Sequence, residues 1–168
     1  MAVHRSVAAA VDAFIGLGSN LGDRGAEIDR AFAEIAALPQ TTLVARSSHY
    51  ASAPIDAPGG EYLNAVAQVK TSLAPRELLH AMQGIEHRHG RARPFRGAPR
   101  TLDLDLLLYS DLVVASEELS IPHPRLHERA FVLAPLLEVA PHLVVPGRGA
   151  LVELLGKVTT QPVAKLDR

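Results

Sequence analysis

Cysteine and tryptophan are absent from this chain, and the remaining aromatics are few, four Phe and three Tyr among 168 residues. Without thiols there is no disulfide and no thiolate metal site, a composition that suits a reducing cytoplasm. With aromatics at 4 %, the core must rest on Leu, Val, Ile and Ala. No apolar run reaches membrane-spanning length, and the opening MAVHRSVAAAVDAF lacks the apolar stretch of a signal peptide. The chain therefore reads as soluble and cytoplasmic, with no membrane partner. An excess of one charge is missing too: the formal net charge is −1, which provides no global field to draw nucleic acid.

What is present is enough to fold. Hydrophobic residues make up 48 % and charged residues 21 %, the balance of a globular protein with a substantial core. Residues 1–10 read as a loose leader and residues 11–168 as a single domain, with no repeat or linker. Monomer is the default, because no surplus apolar stripe demands a partner.

Periodicity supplies the elements. VDAFIGLGSN reads as a strand ending in a Gly-rich turn. Asp23 can cap a helix in which Ile28, Phe32 and Ile35 recur at helical spacing until Pro39. TTLVARSSHY is β-branched and alternating, and ASAPIDAPGGE is loop by its Pro and Gly. In YLNAVAQVKTS, Leu63, Ala65, Ala67 and Val69 point one way, with Tyr62, Asn64, Gln68 and Lys70 opposite. Pro75 and Glu77 open a helix carrying Leu78, Leu79, Met82 and Ile85. A strand follows at LDLDLLLY. RLHERAFVLAPLLEVA reads as a helix kinked or split by Pro135. HLVVP and ALVELLGKV add a short strand and a short helix. The order, β-α-β-β-α-β with a mixed tail, predicts an α+β ferredoxin-like sandwich, a mostly antiparallel sheet covered by helices.

The chemistry concentrates at residues 88–105. Arg88, Arg91, Arg93, Arg96 and Arg100 fall in RHGRARPFRGAPR, a stretch without an acid, and Asp103 and Asp105 follow inside a run of leucines. On a strand, residues i and i+2 share a face about 6.5–7 Å apart. The two carboxylates are thus presented together while Leu102, Leu104 and Leu106 face the core. Alone, such a pair is as readily a solvated strand face, and the arginines alone are more readily a solvated loop. Together they form the parts of a phosphoryl-transfer site: hard oxygen donors for Mg²⁺ and guanidiniums for phosphate oxygens.

Other signals are weaker. GLGSNLG has the spacing G-x-G-x-x-x-G and lacks a parallel-sheet context, so a turn feeding a helix is favoured over a dinucleotide site. His123 and His127 in HPRLH lack the intervening carboxylate of a zinc hydrolase, and a hydrogen-bonding role is favoured. His87 and His89 alternate with arginine and read as solvated.

At this point the motifs become recognisable. RGAPRTLDLDLLLY closely resembles the signature of the 6-hydroxymethyl-7,8-dihydropterin pyrophosphokinase family. FIGLGSNLGDR, YLNAV, QGIEHRHGRAR and IPHPRLHERAFVLAPL are similar to its other segments, in order along nearly the whole chain after the leader. The resemblance implies transfer of the terminal diphosphate of ATP to the hydroxymethyl oxygen of the pterin, with release of AMP, in folate biosynthesis. It implies that Asp103 and Asp105 ligate two Mg²⁺ ions, and that Arg91 and Arg100 grip the phosphates with help from Arg93. On the nucleotide side it matches Gln83, Glu86, Leu106, His123 and Arg129. For the pterin it implies stacking between Tyr62 and Phe131, a hydrogen bond from Asn64, and loop backbone near Ser52, Ala53 and Ile55. In isolation Phe131 reads more readily as core. The chain departs from the family at Gly97, where many relatives carry Trp, and at Pro124, where relatives often carry Tyr.

Overall fold

The computed structural model describes residues 9–20, 23–52, 62–90 and 102–166. Their architecture is that of the sandwich expected from the sequence. Strand β1 (Val11–Ser19) leads into helix α1 (Arg24–Ala36), then β2 (Thr41–Arg46), β3 (Tyr50–Ser52) and β4 (Tyr62–Thr71). Helix α2 (Pro75–His89), β5 (Asp103–Tyr109) and a small hairpin of β6 (Val114–Ala115) and β7 (Ser120–Ile121) follow. A 3-10 turn at Leu126–Glu128 precedes helix α3 (Ala130–Val139), the hairpin of β8 (Val144–Val145) and β9 (Gly149–Ala150), helix α4 (Leu151–Gly156) and β10 (Val163–Lys165). The main sheet is antiparallel in the order β10-β3-β4-β1-β5, with β2 beside the far end of β4. Among the described residues no helix is long and apolar enough to cross a membrane.

Local chemistry explains the element ends. Asp23 accepts the Ala26 N–H at 3.0 Å and caps α1. Pro75 occupies the first turn of α2, where the Glu77 carboxylate accepts the Ala74 N–H at 2.7 Å. The predicted strand at TTLVARSSHY is broken at residues 47–49, because the Ser47 hydroxyl takes the Val66 N–H that a continuous ladder would use. Pro135 sits within α3 without ending it.

Both faces of the sheet are covered, but not to the same extent. Ala13, Ile15 and Leu17 pack with Ala65, Ala67 and Val69 against Ile28, Phe32 and Ile35 of α1 and Leu78, Met82 and Ile85 of α2. Leu102, Leu104 and Leu106 join this layer. On the other face, Phe14, Val66, Leu107 and Leu108 lie under α3 and α4. A register shift between β1 and β5 at Phe14/Ile15 leaves Leu107 as the extra residue. It turns Leu107 and Leu108 to the α3 side together and ends the strict alternation that holds through Leu106. Helices cover only one end of this second face. Among the described residues no helix covers the other end, and it carries the aspartates.

Two expectations need correction. GLGSNLG does not begin a turn at its first glycine: Gly16 and Gly18 lie within β1, and the strand runs to Ser19. His89 is not solvated. Its side chain is 3 % exposed and bridges Glu27 (2.6 Å) and Glu34, fastening the end of α2 to α1. Burial alone would push the Glu34 carboxyl up, but the hydrogen bonds and charges of His89 and Arg88 outweigh it and hold the group below the usual carboxylate range. A solvated histidine and a buried bridge look alike in sequence, because the two glutamates belong to a distant helix.

Candidate active site

Cross-strand register assembles the site. Gly18 of β1 stands opposite Asn64 on one side and Asp103 on the other, and Gly16 stands opposite Val66 and Asp105. Opposed residues share a face, so two rows cross the open end of the sheet: Asn64–Gly18–Asp103 and Val66–Gly16–Asp105. The glycines leave the centre of each row flat. A Cβ on Gly18 would meet Asn64 Oδ1 at 3.5 Å, and one on Gly16 would meet Leu107 methyls at 3.4 Å. Glycine within a strand commonly marks the close approach of another group.

Above this floor is a cavity of about 550 Å³, a size usual for a small-molecule site. Its walls bring together Ser52, Tyr62 and Asn64 from the sheet, Asp103 and Asp105 from β5, and Arg129 and Phe131 from the start of α3. Asn64 is 6 % exposed, and its amide donates to the Ser52 hydroxyl at 2.7 Å, which orients the side chain. Phe131 is half-buried: it packs against the second core and also lines the cavity, and the Arg129 guanidinium lies 5.6 Å from its ring centre. A second hollow at the opposite end of the sheet, bordered by Asp12, Lys70, Asp111 and His142, contains none of the predicted residues.

The acidic side is built with equal care. Asp103 and Asp105 are half-buried, with the Asp105 side chain 48 % exposed toward the cavity. Between them the Leu104 N–H points away from β1 and donates to Glu86 of α2 at 2.8 Å, so Glu86 pins the edge of the aspartate strand. The bulged Leu107 carbonyl accepts the His123 N–H at 2.9 Å. His123 Nδ1 accepts the Arg125 N–H at 3.1 Å, which leaves the ring proton on Nε2, 3.9 Å from Asp105 Oδ1. Burial pushes the His123 pKa down; Asp105 opposes that and Arg129 and Arg125 add to it.

The donor set suits a hard cation. Two carboxylates share one face, no sulfur is near, and among the described residues no cluster of three or more His, Cys, Asp or Glu could hold a metal. Mg²⁺ fits such a two-carboxylate seat, since it keeps waters and substrate phosphates in its remaining positions.

The other predicted residues stand as follows. Leu106 is 4 % exposed in the core between the sheet and α1/α2, so only its backbone can reach a ligand. Gln83 is exposed on α2. Ala53, Ile55, Arg91, Arg93 and Arg100 lie outside the described residues, as do Gly97 and the leader up to residue 8. The cavity also includes Gly16 and Gly18 of GLGSNLG, together with Arg125, Glu128 and Gln161, for which the sequence offered no role. The alternating glycines were the available signal for the floor.

Comparison with known proteins gives concordant results. The model of the 7,8-dihydro-6-hydroxymethylpterin-pyrophosphokinase (HPPK) family matches residues 14–141. A 2-amino-4-hydroxy-6-hydroxymethyldihydropteridine pyrophosphokinase of Haemophilus influenzae is 41 % identical over 160 residues, 94 % of this chain and 99 % of that protein. The Bacillus subtilis protein of the same name is 44 % identical over 128 residues, 76 % of this chain and 77 % of that one. Among solved structures, an HPPK-DHPS in complex with substrates superposes with a TM-score of 0.69 at 11 % identity over 88 % of this chain. Wild-type Plasmodium falciparum HPPK-DHPS with pteroate gives 0.70 at 15 % identity over 90 %. At such identities the likeness concerns the fold. This chain spans 43 % of each of those two-part chains.

Proposed function

This chain belongs to the 7,8-dihydro-6-hydroxymethylpterin-pyrophosphokinase family, and from that premise we propose that it moves the terminal diphosphate of ATP to the hydroxymethyl oxygen of 6-hydroxymethyl-7,8-dihydropterin. The observation that carries this reading is a cavity in which an aromatic and amide wall faces an acidic wall across two glycines. A flat heteroaromatic ring fits between Tyr62 and Phe131. The Asn64 amide, steadied by Ser52, reads the ring edge, with backbone near Ala53 and Ile55 completing that side.

Asp103 and Asp105 would hold two Mg²⁺ ions, which supply positive charge against the triphosphate when bound. Arg91, Arg93, Arg100 and Arg129 serve the phosphates, and His123 presents its Nε2 proton beside Asp105. Gln83 and the Leu106 backbone serve the nucleotide, while Glu86 keeps the aspartate strand straight. The hydroxymethyl oxygen attacks the β phosphorus in line, the bond from that phosphorus to the α–β bridging oxygen breaks, AMP leaves with that oxygen and its electron pair, and the hydroxyl proton passes to water. Holding the two substrates in register across the glycine floor accounts for most of the acceleration, and no side-chain base is assigned. We assign the reaction to a cytoplasmic monomer acting on small molecules, with no role for nucleic acid.

The test is AMP formation from ATP, Mg²⁺ and the pterin alcohol. The wild-type protein should produce AMP only when all three are present, and Asp103→Ala and Asp105→Ala should each lose it by at least about a thousandfold while staying folded. Near-normal turnover by either variant at saturating Mg²⁺ refutes the metal assignment. Nucleotide binding without AMP production by the wild-type protein refutes the enzymatic reading.

A further inference from the structure

Helix α3 carries Phe131 in its first turn, two residues after Arg129, yet its own sequence does not cap it. Arg129 occupies the N-cap position and offers no side-chain hydrogen bond. The first N–H groups of a helix need acceptors from elsewhere. Gln161 supplies one from 31 residues away: its Oε1 accepts the Ala130 N–H at 2.8 Å, and its Nε2 donates to the Glu128 carbonyl at 2.8 Å. One side-chain amide thus clamps the backbone on both sides of Arg129 and one residue before Phe131. Gln161 itself borders the cavity.

Gln161 is fixed in turn. Its N–H donates to the Val158 carbonyl at 3.1 Å, and two residues later Val163 of β10 pairs with Ser52 of β3. The short C-terminal segment therefore joins the sheet wall at Ser52 to the helical wall at Phe131. The other end of α3 has its own tie, since Glu138 accepts from the Tyr50 hydroxyl at 2.7 Å and from the Ser48 N–H at 3.0 Å. Val132, Leu133 and Leu136 pack the middle of α3 into the second core, so without the Gln161 clamp it is the backbone at the start of the helix, ahead of that packing, that gains room to shift relative to the sheet.

From this geometry we infer that Gln161 is a positioning residue for the pterin: it sets the distance between the Phe131 wall and the Ser52–Tyr62–Asn64 wall. The inference rests on the function proposed above and assigns a role within that site to the C-terminal segment. The bidentate geometry is specific to a glutamine. Alanine removes both bonds, whereas glutamate keeps an acceptor for Ala130 and loses the donor to Glu128.

The test compares Gln161→Ala, Gln161→Glu and Ile35→Val with the wild-type full-length protein. Ile35→Val thins the core on the opposite face and lowers stability by a comparable amount away from the site. Gln161→Ala should raise the pterin KM and the calorimetric pterin Kd about tenfold with kcat changed by less than about threefold, the effect expected when the binding-competent wall position falls to about one molecule in ten. Gln161→Glu should recover at least about half of that loss on a logarithmic scale, and Ile35→Val should leave both constants at wild-type values. A pterin KM within about twofold of wild type in Gln161→Ala, or an equal rise in Ile35→Val, overturns the inference. Amide hydrogen exchange in the free protein gives a readout independent of catalysis. Exchange at Ala130 should accelerate about tenfold or more in Gln161→Ala, and unchanged exchange overturns the clamp even where AMP production is normal. If the wild-type protein instead makes no AMP while Ala130 responds as stated, the clamp stands and it is the proposed reaction that fails.

Discussion

Gly18 sits between Asn64 and Asp103 on the cavity floor, and its replacement by alanine adds one methyl group there. Among the described residues the nearest atom to the new Cβ would be Asn64 Oδ1 at 3.5 Å, an ordinary contact that the fold accepts without shifting. The Gly18 backbone is not in the left-handed region, and alanine restricts the unfolded chain more than glycine does. Stability should therefore rise by about 0.5 kcal/mol, or roughly 1–2 °C in Tm. Substrate meets the opposite situation. An extra methyl in a well-packed contact costs about 1–3 kcal/mol, which corresponds to roughly 5–150-fold in affinity. Calorimetry with the pterin and a thermal melt on the same preparation measure the two effects side by side. A variant that melts higher and binds pterin at least about fivefold more weakly agrees with the reasoning. Wild-type pterin affinity in Gly18→Ala refutes it, because the ring then does not lie over this floor.

Further expectations follow from other contacts. Glu86→Ala removes the acceptor of the Leu104 N–H and should lower stability by about 1–2 kcal/mol, read as a fall of roughly 2–8 °C in Tm, and it should raise the Mg²⁺ concentration needed for half-maximal activity by loosening the strand between the aspartates. His89→Ala removes the bridge between Glu27 and Glu34, which keep Arg30 and Arg88 as partners, and should cost about 1–2 kcal/mol in urea unfolding, with an unchanged m-value. Glu138 and Glu34 are both held below the usual carboxylate range, Glu138 because its bonds from Tyr50 and Ser48 and the charge of Lys165 outweigh its burial. Their folded-state pKa values are depressed, so their stabilisation is complete above the unfolded value near about 4.3 and is lost as pH falls through the lowered values. Glu138→Gln should accordingly show a shallower fall in Tm on acidification than the wild-type protein, and an identical slope would contradict the assignment.

Much of this architecture was legible in the sequence because it depends on local periodicity. Ile28, Phe32 and Ile35 fix one face of α1, alternation around Asn64 fixes β4, and the aspartates declare their shared face by spacing alone. The fold class followed from the order of these elements, and the family from motifs along the chain. What stayed hidden depends on partners distant in sequence. His89 looks solvated until α1 brings Glu27 and Glu34 beside it. Glu86 looks like a surface acid until β5 turns the Leu104 N–H toward it. Gly16 and Gly18 look like turn formers because glycine is common in turns, whereas here they are strand residues whose missing side chains leave room for a ligand. Gln161 carries no local signal at all, because both of its bonds are to backbone some 30 residues earlier. Leu107 breaks the alternation through a bulge that β1 imposes on β5.

The most direct measurement follows the phosphorus atoms. In ³¹P NMR of ATP, Mg²⁺, the pterin alcohol and the wild-type protein, the β and γ phosphorus signals should move together into a diphosphate ester as AMP accumulates, and Asp105→Ala should leave the ATP signals unchanged. Release of free pyrophosphate with the adenylate joined to the pterin, or transfer that persists without Asp105, would contradict the account.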